Sequence, residues 1–201
     1  MGVGTEEHIL QAESRRGAQR PVANQLRKAT GELHARLEQR FDAVTELADP
    51  SRRPAVIRRY AALHGPAHAS LAPELEGVDG LDFGSRARAW SAVEWPSSDS
   101  RASPPFPSVA DRWEALGVLY VLEGSTLGGR VILRELETKG IMDPELSFLD
   151  PYGRIAGHMW RALLAVLERE GSRGPACLDS LCRGAMRGFL HAECVLCGDS
   201  F

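Results

Sequence analysis

The sequence predicts an all-α protein built as one multi-helix domain. Apolar residues recur with a helical period along most of the chain, and the alternating pattern of half-buried strands is absent. The 201 residues suffice for one medium-sized domain with a single core. We expect about six helices within residues 21–201, preceded by a flexible N-terminal arm over residues 1–20, where no apolar period is visible.

The first predicted helix begins shortly after residue 20 and ends at Asp49-Pro50. Its apolar positions share one helical face. They are Leu26, Leu33, Leu37, Phe41 and Val44. A second helix is expected from about Pro54, where proline suits a first turn, and Pro66 should kink or divide it.

Further along the chain, residues 83–93 predict a third helix. Four prolines and five serines make residues 96–108 a loop, ordered only if Phe106 packs. The apolar segment 109–136 predicts a buried helix. Two more helices are expected over about 151–170 and 176–197, separated by Gly171 and Gly174.

Charge and hydropathy exclude some classes of partner. The formal net charge is −3, which gives no basic footprint for nucleic acid. No uninterrupted apolar run approaches the roughly 18 residues that a membrane span needs. The first twenty residues lack the apolar stretch of a secretory signal. We therefore expect a cytoplasmic protein without a nucleic-acid or membrane partner.

All four cysteines lie near the C-terminal end, at Cys177, Cys182, Cys194 and Cys197. Cys194-x-x-Cys197 is the spacing of half a metal or redox site. A second close pair is missing, and the helical context favours small buried hydrophobic side chains over metal ligands.

Three glycines interrupt the predicted central helix, at Gly124, Gly128 and Gly129. Each costs roughly 1 kcal/mol relative to alanine inside a helix, so something should offset the loss. Gly124 and Gly128 share a face because they are four residues apart. The pattern leaves two explanations equally open, close packing of another helix and close approach of a ligand. A phosphate loop is disfavoured because no lysine follows.

One edge of the first helix carries Arg27, Thr30, His34 and Glu38. His34 at the margin of an apolar face suits an iron ligand on a rigid element. Glu38, one turn further on, can accept the proton of the other ring nitrogen, and Arg27 can meet an anionic group. By itself, this motif favours the alternative of a surface histidine paired with Glu38.

His64 and His68 also have i,i+4 spacing, which is that of a possible metal pair. Pro66 lies between them and should disturb the helix, so ordinary packing is the favoured interpretation.

Two of these segments together resemble one family. LRKATGELHARLE (26–38) resembles the proximal helix of haem oxygenases, and GVLYVLEGSTLGGRVILREL (117–136) resembles their glycine-rich, kinked distal helix. The second segment looks closest to the bacterial form that works with bacteriophytochromes. A weaker resemblance covers FLDPYGRIAGHMWRALLAVLE (148–168), and the whole likeness spans about residues 22–197.

The resemblance implies that haem lies between these two helices. His34 matches the axial iron ligand, with Glu38 as the carboxylate beside it. Gly124 and Gly128 match the distal glycines over the haem face.

Further haem contacts follow from the same resemblance. Arg27 matches the basic residue that faces a haem propionate, and Arg161, after Trp160, is the candidate for a second propionate contact. Thr30 lies in the first motif and Gly129 in the second, and the resemblance assigns both residues to contact with haem.

Ser125 marks a departure from many animal members of the family. They have an aspartate directly after the first distal glycine, where it orders water for oxygen activation. A serine hydroxyl can donate or accept a hydrogen bond, but it does not supply the negative charge of a carboxylate. Several bacterial members also lack this aspartate, and Ser125 is assigned to the distal catalytic group with Gly124 and Gly128.

The function implied is oxidative cleavage of haem to biliverdin, CO and ferrous iron. Haem b is then both substrate and cofactor, with iron, O2 and an external reductant such as ferredoxin or a reductase. A bacteriophytochrome would receive the bilin. Three alternatives stay open: a haem-binding sensor that leaves haem intact, a non-haem metal oxidase using His64, His68 and Glu74, and an interaction domain whose glycine face docks a helix.

Overall fold

The computed structural model describes residues 20–93, 95, 106 and 108–198. Within that part of the chain all regular structure is helical, so the all-α prediction is confirmed. The predicted arm over residues 1–20 falls outside the described residues, apart from Arg20. The helices, in order, are α1 (Pro21–Arg40), α2 (Ala43–Ala48), α3 (Arg53–Leu75), α4 (Phe83–Ser91), α5 (Arg112–Thr138), α6 (Ala156–Gly171) and α7 (Pro175–Cys197). Two 3-10 turns, Pro144–Leu149 and Gly153–Ile155, precede α6.

The predicted first helix is divided in the structure. α1 ends at Arg40, and α2 begins after Asp42, whose carboxylate accepts a hydrogen bond from the Thr45 backbone N–H at 3.1 Å. The apolar stripe continues across this break, because Phe41 and Val44 still pack against the core. Periodicity alone therefore missed a turn that keeps the same face buried.

The predicted division at Pro66 is wrong. α3 continues from Arg53 to Leu75 with Pro66 and Pro73 inside it. Burial of its apolar face, from Val56 to Leu75, offsets the hydrogen bonds that the two prolines remove.

α5 is the central helix and runs uninterrupted through its three glycines. Its residues Leu116, Leu119 and Leu122 belong to the main hydrophobic core. By length and composition alone it could cross a membrane, since it has an 18-residue window of mean hydropathy 1.3, half of it buried inside the protein. A buried core helix passes the same test. The segment contains no unbroken apolar run of that length because Glu123 and Arg130 fall within it.

The backbones of α5 and α7 touch at two glycines. A Cβ atom on Gly117 would lie 2.1 Å from the Leu181 carbonyl oxygen, and one on Gly184 would lie 2.0 Å from the Glu114 carbonyl oxygen. No side chain fits at either point, so this crossing requires glycine on both helices.

Carboxylates fix α1 against two other helices. Glu168 on α6 accepts the backbone N–H groups of Val22 and Ala23 at 3.1 and 3.0 Å, which satisfies free donors at the α1 N-terminus. Glu193 on α7 accepts Arg36 Nε at 2.7 Å and Arg40 Nη1 at 2.8 Å. The hydrogen bonds from Arg36, and then those from Arg40, lower the pKa of Glu193. These contacts hold α1 as one wall of a cavity.

Phe106, the residue on which order in the 96–108 loop was predicted to depend, is half-buried against the core. Its ring meets His191 edge-on, with centroids 5.0 Å apart. Most of that loop lies outside the described residues.

Candidate functional site

A cavity of about 770 Å³ lies between α1 and α5. This volume is within the usual range for small-molecule and cofactor sites. Its walls are mostly apolar, with side chains from α1, α2, α3, α5, α6 and α7. The apolar and aromatic lining residues are Leu37, Phe41, Ala43, Val44, Tyr60, Leu63, Tyr120, Val121, Leu122, Leu127, Ile132, Trp160, Phe189, Ala192 and Leu196. Burial raises the pKa of Tyr60 to about 12, so its phenol remains neutral.

His34 and Glu38 line this cavity from the α1 side. The His34 Nδ1 atom lies 3.5 Å from Glu38 Oε2, and its side chain is 56% exposed. The Phe189 ring meets the imidazole edge-on at 5.4 Å between centroids. The pairing expected for a surface histidine is thus present, yet the same histidine borders an apolar cavity. Because Nδ1 faces the carboxylate, Nε2 is the nitrogen available to a ligand.

Gly124, Ser125, Gly128 and Gly129 line the cavity from the α5 side. A Cβ atom on Gly128 would meet nothing within 4 Å, and one on Gly124 would meet only Trp160 Cη2 at 4.0 Å. Close packing of another helix within the described part of the chain therefore does not explain these two glycines. Their bare backbone enlarges the cavity instead.

Gly129 is a glycine for a different reason. A Cβ there would lie 2.4 Å from the Leu149 carbonyl oxygen, so the residue lets the 3-10 turn Pro144–Leu149 approach α5. Gly129 is thus explained by close approach of neighbouring backbone, whereas close approach of a ligand stays a prediction for Gly124 and Gly128.

Three other predicted contact residues are not among the cavity-lining side chains. Thr30 is buried and donates its hydroxyl to the Leu26 carbonyl at 2.8 Å, which gives it a structural role within α1. Arg161 is exposed, and its Nη1 atom lies against Gly157. Arg27 is exposed near Tyr120, where its charge opposes the burial that raises the pKa of that phenol. The haem contacts of Arg27 and Arg161 stay predictions.

Sequence reasoning missed a buried polar network directly behind Gly124. Glu123 Oε2 accepts Arg86 Nη1 and its Oε1 accepts the Tyr152 hydroxyl, both at 2.6 Å. Arg86 is fully buried and also donates to the carbonyls of Leu81 at 2.9 Å and Met159 at 2.7 Å. The available signal was Glu123 itself, a carboxylate within a buried apolar stretch that requires a cationic partner.

Burial raises the pKa of Glu123, while the charge of Arg86 opposes the shift. The pKa of Tyr152 is also raised, first by burial and then by the negative charge of Glu123. Tyr152 therefore remains a neutral hydrogen-bond donor to the carboxylate. The network joins α4, α5 and the start of α6 at the cavity's α5 wall.

His64 and His68 are both buried on α3, and burial lowers the pKa of each. His68 Nδ1 lies 3.4 Å from the His64 carbonyl oxygen, and His64 Nε2 lies 3.3 Å from Ser125 Oγ. Among the described residues no group of three or more His, Cys, Asp or Glu side chains is placed to hold a metal ion. The structure thus places His64 beside Ser125, a relation that no spacing in the sequence indicated.

The fold and the cavity define a helical protein with a mostly apolar pocket, bordered by the His34 imidazole and by a glycine-rich helix. The chain is 38% identical over 108 residues to a "Heme oxygenase" of Xanthomonas campestris pv. campestris (strain 8004). The match covers 51% of this chain and 59% of that relative, so it spans about three fifths of the relative's length. No protein-family model and no solved structure matches the chain. This similarity supports the resemblance of the chain to haem oxygenases.

Proposed function

We propose that this protein is a haem oxygenase that cleaves haem oxidatively to biliverdin, CO and ferrous iron. The observation that carries the proposal is the arrangement of His34 and of the bare glycines Gly124 and Gly128 around one apolar cavity. The likeness to the Xanthomonas protein supports the same function. Haem b would be both substrate and cofactor, and an external donor such as ferredoxin or a reductase would supply electrons.

The residues present fit a haem. The cavity is apolar and of suitable size, and His34 offers the type of nitrogen ligand that holds haem iron in many proteins. Space over Gly124 and Gly128 would be filled by any side chain there. Bound haem supplies the redox-active iron at which O2 is activated.

Each cavity residue then has a definable task. His34 would bind the iron through Nε2, while Glu38 holds the ring and keeps the proton on Nδ1. Gly124 and Gly128 admit the ligand to close range of the α5 backbone. The aromatic and aliphatic walls exclude bulk water, and Ser125 provides a polar atom on the α5 side.

The experiment that tests this function is a haemin titration of the purified protein, followed by anaerobic reduction and addition of O2. We expect near-equal stoichiometry in the titration. On oxygenation the Soret band should decay and a bile-pigment band should appear. A protein that merely binds or senses haem would keep its Soret band, and failure to take up haemin would refute the proposal and favour the interaction-domain alternative.

The His34→Ala variant should lose the haem signature and turnover, because the cavity would no longer offer an imidazole to the iron. The absorption spectrum of the haemin complex and the initial rate of bilin formation measure both effects. His158→Ala, which removes an exposed histidine from α6, is the matched control and should behave as the wild type. An unchanged Soret spectrum and rate in His34→Ala would remove His34 from this role.

The Gly128→Leu variant should bind haemin weakly and turn over little, because the new side chain would occupy the space over α5. Gly31→Leu is the control, since Gly31 also has open space around its Cβ position but lies outside the cavity. Full turnover by Gly128→Leu would show that close approach at this glycine is not needed.

A bacteriophytochrome as recipient of the bilin, and a cytoplasmic location, belong to the same proposal. The likeness of residues 117–136 to the bacterial type of enzyme supports the first. Coexpression with a phytochrome apoprotein that becomes photochromic only when this protein is active would test the first. Cell fractionation would test the second.

A further inference from the structure

The side chain of His64 is held in one orientation by its neighbours. Its ring stacks on Trp90, with centroids 3.6 Å apart and planes 9° from parallel. The Tyr60 ring, one turn earlier on α3, is parallel to it within 3° at 6.4 Å. Only 1% of the residue is exposed, and its Nδ1 atom has no hydrogen-bond partner among the described residues. The ring therefore meets other polar groups through Nε2.

The polar group at Nε2 is the hydroxyl of Ser125, 3.3 Å away. The same Oγ atom lies 2.6 Å from the Leu122 carbonyl oxygen, to which it donates its single proton. Since that proton is already used, a hydrogen bond between Ser125 and His64 requires His64 to be the donor. The proton of the neutral imidazole must then be on Nε2.

The opposite arrangement is less favourable. With the proton on Nδ1, the buried N–H would have no acceptor, and Ser125 would have to leave Leu122 in order to donate to Nε2. One hydrogen bond would replace two, and a buried donor would go unpaired, which costs more than an unused lone pair. Burial lowers the pKa of His64 well below its usual value, so the ring carries one proton at neutral pH.

We propose that His64 is a positioning residue that leaves Ser125 only as a hydrogen-bond acceptor toward the cavity. A serine oxygen has one proton and two lone pairs. Leu122 takes the proton and His64 occupies one lone pair, so the second lone pair is left for the cavity that Ser125 lines. The ligand it fits is a hydrogen-bond donor, such as an ordered water molecule beside bound haem. The role in turnover rests on the proposed function, whereas the Ser125–His64 pair does not.

The pair is tested first in the haem-free protein, by 15N NMR of the histidine rings. We expect the His64 signals of a neutral ring with the proton on Nε2 at pH 7. In Ser125→Ala that proton should exchange faster with water because it has lost its acceptor. A proton on Nδ1, or a charged ring, would overturn the proposal whether or not the protein cleaves haem.

The effect on turnover is tested with three variants and one control. His64→Phe keeps a flat ring between Tyr60 and Trp90 but removes the donor, and Ser125→Ala removes the acceptor. Each should leave the haemin affinity within about twofold and lower the initial rate of bilin formation about tenfold, the equivalent of one hydrogen bond of about 1.4 kcal/mol. His64→Gln, which restores an N–H donor, should recover most of the rate.

His68→Phe is the matched control, since it removes the next buried histidine of α3, for which no contact with Ser125 is found. It should keep the wild-type rate. An undiminished rate in His64→Phe, or a fall in His68→Phe as large as in His64→Phe, would overturn the positioning role. Failure of the wild-type protein to form bilin would instead refute the proposed function and leave the NMR result standing.

Discussion

We expect the Arg86→Met variant to lose about 3–5 kcal/mol of its free energy of unfolding, the usual cost of removing one partner of a buried ion pair. Arg86 and Glu123 are 0% and 1% exposed, so water cannot replace the lost guanidinium. Glu123 would then take up a proton or remain as an uncompensated charge, and the carbonyls of Leu81 and Met159 would lose their donor. A loss of this size is a large part of the stability of a typical domain.

Urea denaturation followed by circular dichroism measures this effect. Arg88→Met is the matched control, because Arg88 is exposed on the same helix and its guanidinium contacts the Ser85 hydroxyl. The double variant Arg86→Met/Glu123→Met removes both charges and should recover part of the lost stability. If Arg86→Met were no less stable than Arg88→Met, the buried pair would not be a main support of the α5 wall.

The Gly184→Ala variant is expected to lose up to about 3 kcal/mol, the cost of overpacking a tight contact. The new methyl group would lie 2.0 Å from the Glu114 carbonyl oxygen, and backbone atoms of α5 cannot yield as a flexible side chain can. α5 and α7 must therefore move apart, which loosens the core on both sides of the crossing.

The same substitution at Gly31 provides a control in which we expect stability to rise rather than fall. Gly31 is exposed on α1 with nothing near its Cβ position, so Gly31→Ala should gain about 0.5–1 kcal/mol from helix propensity. Thermal and urea unfolding of the two variants compare them directly. Equal stability of Gly184→Ala and Gly31→Ala would show that the helices at this crossing adapt without cost.

The candidate site was predicted in part by sequence. His34 and Glu38 are four residues apart on a helix, and Gly124 and Gly128 are four apart on another, so each pair shares a face by helical geometry alone. That both pairs border one cavity depends on how α1 and α5 pack. The Xanthomonas relative supports the family resemblance, while the contacts proposed for Arg27 and Arg161 still depend on the resemblance alone.

The contact between His64 and Ser125 is one that residue spacing in the sequence could not predict. Its i,i+4 relation to His68 suggested a metal pair or packing, and the proline between them argued for a broken helix. The structure keeps the helix and turns His64 toward Ser125, 61 residues further along the chain. A hydrogen bond between residues so far apart leaves no periodic signature in the sequence.

The sequence by itself determined the all-helical class, the approximate limits of most helices and the glycine-rich segment, because these depend on local periodicity and backbone preference. Tertiary structure alone decided the surroundings of each glycine: Gly117, Gly129 and Gly184 admit neighbouring backbone, whereas Gly124 and Gly128 border open space in the cavity. It also decided the partners of Glu123 and Ser125. The physical reason is that close approach and the pairing of buried polar groups depend on atoms from distant parts of the chain, which only packing brings together.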